Sequence, residues 1–269
     1  MHTLSSVVFG GLNRLSRKTR VAMMSTVTGV HGDNTVFCSL DAASRVALTI
    51  DDAPSLAAPL FKQLLDLLKE LIVQVSFQVI SSYAAKSEEH MALLRRAVAE
   101  GHHLVNHSVK DAPCIRCSKE EFRAMLLECQ ALIDGISPGT AADRWFRPPS
   151  GVMSAAMRQV CREEGFRVVL GDAYSDDPHV SGAEWHVRTL LRATEAGSVI
   201  IIHCPEVGLR SQTLDVVPTL VAALRGRGLE LATVAQHFPL PSQEPIWKGS
   251  SLLNLETSNA SLVRPLRLP

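Results

Sequence analysis

Asp51 and Asp52 stand side by side at the end of the apolar, β-branched run 46–50. Two like charges at the end of a buried strand are unfavourable unless a cation or a partner offsets them. Alone they read as a solvated turn, because Asp-Asp-Ala-Pro is sound turn chemistry. They are not alone, however: ionisable or polar groups follow other apolar runs too. Asn106, His107, Ser108 and Asp111 follow one, and Arg147 follows Trp145 and Phe146. Asp172, Asp176 and Asp177 follow residues 168–170, and His203 follows residues 199–202. Oxygen and imidazole donors from Asp52, His107 and Asp111 could hold a divalent cation such as zinc and leave positions open for water and substrate. His107 and Asp111 are four apart and would face the same way on a helical turn, although as an isolated pair they read as a loop histidine and a surface acid.

Such groups need elements to aim them. After residues 46–50 comes a helical pattern over 56–70, with Leu60, Leu64, Leu65 and Leu68 on one face, then the β-rich run 73–80, which together make a βαβ unit. Helical spacing returns at 88–100, and a short strand is expected at 103–106. Ser118 and Glu121 form a capping-box signature for a helix to about residue 133. Strands at 143–146, 167–170, 198–202 and 229–234, with helices at 153–164 and 214–225, complete an alternation of about seven strands and intervening helices. That pattern implies parallel pairing in a barrel or an open doubly wound sheet. No GxGxxG or GxxxxGK[ST] follows a strand, so the barrel is favoured over a nucleotide-binding sheet. In a parallel barrel, functional side chains gather at the C-terminal strand ends, where these polar residues lie.

The chain of 269 residues carries 27 Lys+Arg and 27 Asp+Glu, so charge argues for neither nucleic acid nor an anionic membrane as partner. No apolar run approaches the roughly 20 residues of a membrane-spanning helix. Residues 1–40 read as a basic, Ser-rich leader; Arg14, Arg17, Lys18 and Arg20 precede the first acid, Asp33, which suggests a cytoplasmic or organellar protein with a transit-peptide-like start. Residues 41–238 form the expected domain, and the Pro- and Ser-rich stretch 239–269 reads as a tail. Six scattered cysteines fit a reducing compartment, and Cys114 and Cys117 read as incidental thiols. His102 and His103 sit at the wrong end of their strand for catalysis. Trp145 and Trp185 read as core rather than sugar platforms, and Tyr174, in a loop on the catalytic side, is the better candidate for substrate contact.

The stretches TIDDAP (49–54), NHSVKD (106–111), FRPPSG (146–151), GDAYSDDP (171–178) and IIIH (200–203) occur in that order. Together they resemble the motifs of the polysaccharide deacetylase family, the NodB-homology or carbohydrate esterase family 4 group. The resemblance spans roughly residues 45–238. It implies a distorted, TIM-barrel-like (β/α) barrel, a divalent metal (zinc, with cobalt or nickel as alternatives), and hydrolysis of acetyl groups from an N-acetylated saccharide such as a chitooligosaccharide. Under it Asp51 is the general base, Asp52 and His107 are metal ligands, Arg147 orients Asp51, and His203 is the general acid. Ser108 braces the metal loop, and the backbone N–H near Ser150 supports the oxyanion.

The sequence departs from the family pattern inside the site. Asp111 stands where a second metal-binding histidine is usual, Ala53 replaces a glycine, and the fourth motif lacks its usual form. Asp177 is taken as the functional acid of that motif. Two other readings follow: an O-acetyl esterase or small-molecule amidohydrolase on the same barrel, and a non-catalytic saccharide-binding or scaffold protein with a weakened metal site.

Overall fold

The computed structural model describes residues 15–32, 34–40, 43–138 and 143–239. Among them nine strands form one sheet: β1 (Thr35–Val36), β2 (Arg45–Ala53), β3 (Ser76–Val79), β4 (His103–Asn106), β5 (Trp145–Phe146), β6 (Arg167–Val169), β7 (Ala173–Tyr174), β8 (Val199–His203) and β9 (Glu230–Ala232). The order is β1-β6-β5-β4-β3-β2-β8-β7, with β9 beside the start of β2, and every strand pair is parallel. The sheet curls until the chain after β1 meets the start of β8. An isolated antiparallel bridge joins Cys38 to Ser198, and the Ser39 N–H donates to the Gly197 carbonyl at 2.8 Å. This is the expected distorted barrel. The strands beyond the expected seven are the two-residue β1 and β7, too short to carry a periodic signal.

Helices α1 (Arg17–Thr28), α2 (Ala58–Glu70), α3 (Ser81–Ala84), α4 (Glu88–Ala99), α5 (Lys119–Ile136), α6 (Ala155–Glu163), α7 (Ala183–Ala193), α8 (Thr213–Gly226) and α9 (Val234–His237) accompany the sheet. Ser118 and Glu121 form the capping box of α5 in both directions. Helix α7 lies where no helix was expected. Its buried face includes His186, whose ring bonds Ser175 Oγ and the Val180 carbonyl, so a polar residue stands where an apolar periodicity would have been read.

Alternation along the strands separates two cores. On β2, Val46, Leu48 and Ile50 point outward into the main cluster with Phe61, Leu64, Leu65 and Leu68 of α2. Ala47 points inward and joins Val105, Trp145, Val169 and Val199 in an apolar floor, closed by Val234 and Phe238. Trp145 is stacked under the Arg167 guanidinium at 3.9 Å and against Phe238, so it is core and not a sugar platform.

Part of the stretch 1–40 is ordered into the fold. Residues 17–28 are helix α1, and two of the basic residues read as leader chemistry are counter-ions inside the fold. Arg17 Nε lies 3.2 Å from the buried Asp172 carboxylate, and Arg20 Nη2, 3.7 Å from it, donates to the Ala193 carbonyl at 2.9 Å. A buried acid requires such a partner, which is why these arginines dock the helix. Arg14 and the expected tail beyond residue 239 lie outside the described residues.

Candidate active site

The inner face that is apolar at the barrel floor becomes polar at its upper end. Two residues beyond inward-facing positions come Thr49 and Asp51 on β2, His107 after β4, Arg147 after β5 and His203 on β8. Register brings them level: Asp51 pairs with His203 across β2–β8, and Asn106 pairs with Phe146, so His107 and Arg147 leave their strands side by side. Strict alternation would send Asp52 outward. Instead its φ is 61°, and the β2–β3 register shifts between Ile50 and Ala53, so both acids line the same cavity.

Arg147 is almost wholly buried and every arm of its guanidinium is used. Nε donates to the Val169 carbonyl (3.2 Å), Nη2 to the Leu170 carbonyl (3.3 Å), and Nη1 to Thr49 Oγ1 (2.7 Å) and Asp51 Oδ1 (2.5 Å). One oxygen of Asp51 is thus clamped and the other faces His107 Nε2 at 4.0 Å. His107 donates from Nδ1 to the Arg147 carbonyl at 2.8 Å, which leaves Nε2 toward Asp52 Oδ1, 3.6 Å away. Burial alone would lower the pKa of His107; the bond to Asp52 and the charges of Asp51 and Asp52 outweigh it and raise it. Burial would likewise raise that of Asp52, but the His107 bond and the charges of His203, His107 and Arg210 hold its carboxyl well below the ordinary range.

His203 is clasped by Asp177, which accepts from its backbone N–H at 2.8 Å and from Nδ1 at 2.9 Å. Burial works against the imidazolium, yet the charge and hydrogen bond of Asp177, with Asp52 and Asp51 behind, raise its pKa to about 9. The three acids of the fourth stretch therefore divide. Asp177 serves His203. Asp172 anchors α1 and accepts from Ser198 Oγ and the Val199 N–H, its pKa raised by burial to about 6. Asp176 accepts from Tyr174 Oη (3.2 Å) and His179 Nδ1 (2.8 Å).

The other expected residues also reach the cavity or its walls. Ser108 is fully buried in the loop after β4, with its N–H on Asn106 Oδ1 (2.9 Å) and its Oγ 3.7 Å from Cys114 Sγ. Its φ of 68° rules out a helical turn between His107 and Asp111. As a result Asp111 opens to the cavity from an exposed position, while Asp52 and His107 are buried. Ser150 lines the cavity at φ 61°, in a tight turn closed by the Gly151 N–H on the Pro148 carbonyl. His102 and His103 sit at the barrel's other end, both lowered to about 4 by burial.

Three features were given no role from the sequence. Arg210, from the short 3₁₀ segment Leu209–Gln212, pairs directly with Asp52 Oδ2. Met23, Met24, Val27 and Thr28 of α1 wall one side of the cavity, whose volume is about 690 Å³. Thr49 links Arg147 to the Ile200 carbonyl, to which it donates at 2.6 Å. Arg210 and the α1 residues belong to no periodic or motif position, whereas Thr49 opens the TIDDAP stretch but carries no role there.

Whether this set fits a divalent metal can be tested on the donors. His107 has the right tautomer, and Asp52 is ionised beside it. Yet among the described residues no three His, Cys, Asp or Glu side chains are grouped to hold a metal, and the charge of Asp52 is already met by Arg210. As arranged, the residues do not fit a three-ligand site.

A family profile described as polysaccharide deacetylase matches residues 41–169. The chain is 30% identical over 205 residues to a chitooligosaccharide deacetylase of Sinorhizobium fredii, covering 72% of this chain and 92% of that one. It is 24% identical over 195 residues to a peptidoglycan-N-acetylglucosamine deacetylase of Bacillus cereus, covering 72% of this chain and 68% of the relative. Among solved structures, a family 4 acetyl xylan esterase from Clostridium thermocellum, bound to a cobalt ion, superposes with a TM-score of 0.63 at 25% identity, over 72% of this chain and 89% of that one.

Proposed function

Because the chain belongs to the polysaccharide deacetylase family, we propose that it hydrolyses the acetamido group of an N-acetylated saccharide, of the chitooligosaccharide kind. The observation that carries this reading is the pairing of Asp51 with His203 at one level of the barrel mouth, each held by its own buried partner, Arg147 and Asp177. The guanidinium clamps one oxygen of Asp51, so the other is oriented to take a proton from water as that water attacks the acetyl carbonyl. His203 holds its Nδ1 proton toward Asp177 and, charged at neutral pH, presents Nε2–H to the leaving nitrogen. Collapse of the tetrahedral intermediate breaks the C–N bond, the nitrogen takes that proton, and acetate and a free amine result. Tyr174, Ser150 and the apolar wall from α1 border the space for the sugar.

A divalent ion, zinc foremost and cobalt or nickel as alternatives, would be held through Asp52 and His107, but with Arg210 on Asp52 the residues as arranged do not fit it, and no step above depends on it. The likeness to an acetyl xylan esterase favours a second reading, cleavage of an O-acetyl ester by the same base. An acetate-release screen separates the two, using chitooligosaccharides, peptidoglycan fragments, acetylated xylan and small amides with each metal supplied. Release from N-acetylated sugars is expected, and Asp51→Asn should slow it by about 10²–10⁴-fold. No acetate from any substrate would overturn the reading.

A further inference from the structure

Each of the two adjacent acids has its own guanidinium: Arg147 on Asp51 and Arg210 on Asp52. The second pairing is the unexpected one, because Asp52 and His107 are the two buried groups best placed to ligate a metal. The contact is not made by a wandering surface side chain. Arg210 is largely shielded, with 18% of its side chain exposed against 4% for Asp52. Its backbone segment is also tied on both sides. Gln212 Nε2 donates to the Val180 carbonyl at 2.9 Å, Gln212 Oε1 accepts from the Gly182 N–H, and Thr213 Oγ1 donates to the His203 carbonyl at 2.9 Å. Upstream, Glu206 accepts from the Leu56 N–H at 2.5 Å. Gly208, at φ 97° and ψ −124°, supplies the bend that delivers the arginine.

We propose that Arg210 is the resident cation of this site, standing on the Asp52 carboxylate in place of a divalent metal, so that the residues as arranged do not fit such an ion. The two oxygens of Asp52 are divided, Oδ2 to Arg210 and Oδ1 toward His107. A dication ligated by the same carboxylate would stand within a few ångströms of a like charge beside a buried carboxylate. Arg210 on Asp52 therefore opposes a divalent ion there, and removing the arginine should relieve that opposition. The proposal rests on the reading that Asp52 and His107 are the groups that would ligate a metal.

Cobalt(II) and zinc(II) binding to the full chain tests it, read by the visible absorption of cobalt, by calorimetry and by elemental analysis after dialysis. Arg210→Gln should bind either ion at least tenfold more tightly than the unaltered protein. Arg210→Lys, which keeps the charge but loses the planar fork, should fall between them. Asp52→Asn introduced into Arg210→Gln should abolish the gain. A larger rise in melting temperature on adding zinc to Arg210→Gln than to the unaltered protein is the independent readout. Equal affinity with and without Arg210 would overturn the proposal and leave the metal reading standing. Absence of binding in every folded variant would overturn both, and tight binding that survives Asp52→Asn would place the metal elsewhere and overturn the proposal.

Discussion

Replacing Asp177 with Asn keeps one oxygen to accept from His203 but removes the charge and one of the two acceptors. In the structure that carboxylate holds both the backbone N–H and Nδ1 of His203, and it leads the influences that overcome burial and raise the imidazole to about 9. Relative to the ordinary value of about 6.5, this is a rise of about 2.5 pH units, or ~3 kcal/mol in favour of the imidazolium. The His203 side chain is only 15% exposed, so solvent screening removes little of this. With the charge gone, burial pushes down against the remaining pull of Asp52 and Asp51, and the pKa should return to about 6.5 or below. If the protonated imidazole donates to the leaving nitrogen, kcat/KM should fall at high pH with a limb near 9, and in Asp177→Asn that limb should move near 6.5. At pH 8 the acid form drops from about nine-tenths to about 3%, a loss of about 30-fold, whereas at pH 5.5 the two proteins should be nearly equal. Stability follows the same sign: a raised folded pKa gives stabilisation that is full below about 6.5 and lost as pH rises through about 9, and the variant should lack that dependence. The assay is a pH–rate profile from pH 5 to 10.5 on an acetamido sugar, with an NMR titration of the His203 ring alongside. An unmoved limb, or an equal loss at every pH with the fold intact, would refute the reasoning.

Three other outcomes are expected. Arg147→Met strips Asp51 of its counter-charge and leaves the Thr49, Val169 and Leu170 acceptors unpaired, and by urea unfolding it should cost about 3–5 kcal/mol. Asp51→Asn should lower kcat by about 10²–10⁴-fold with an unchanged circular dichroism spectrum, and retention of full activity would show that another group takes the proton. Phe61→Ala, emptying the contact with Phe77 at 5.1 Å between α2 and the sheet, should cost about 3–5 kcal/mol by the same unfolding assay and leave the pH profile unmoved.

The barrel was legible because its information is local. Residues 46–50 are apolar enough to specify a strand covered on both faces, the leucines of α2 repeat at helical spacing, and Ser118 with Glu121 marks where α5 begins. What failed to show was structure whose signal is short or lies in a partner. Strands β1 and β7 are two residues each, α7 carries a bonded histidine on its buried face, and α1 looks like a basic leader until Asp172 is placed beside Arg17 and Arg20.

The same division runs through the site. Residue type and strand-end position singled out Asp51, Asp52, His107, Arg147 and His203 from the sequence, since charged groups after buried strands need partners. Which partner each has was decided in three dimensions. Register across β2 and β8 set Asp51 level with His203, the positive φ of Asp52 turned a second acid into the cavity, and Asp177 rather than Asp172 or Asp176 reached His203. The left-handed backbone at Ser108 opened the turn that sequence spacing alone would have closed between His107 and Asp111. Arg210 comes from a segment with no periodicity, and Coulomb attraction to a carboxylate 158 residues earlier depends on chain path and not on any pattern along the chain.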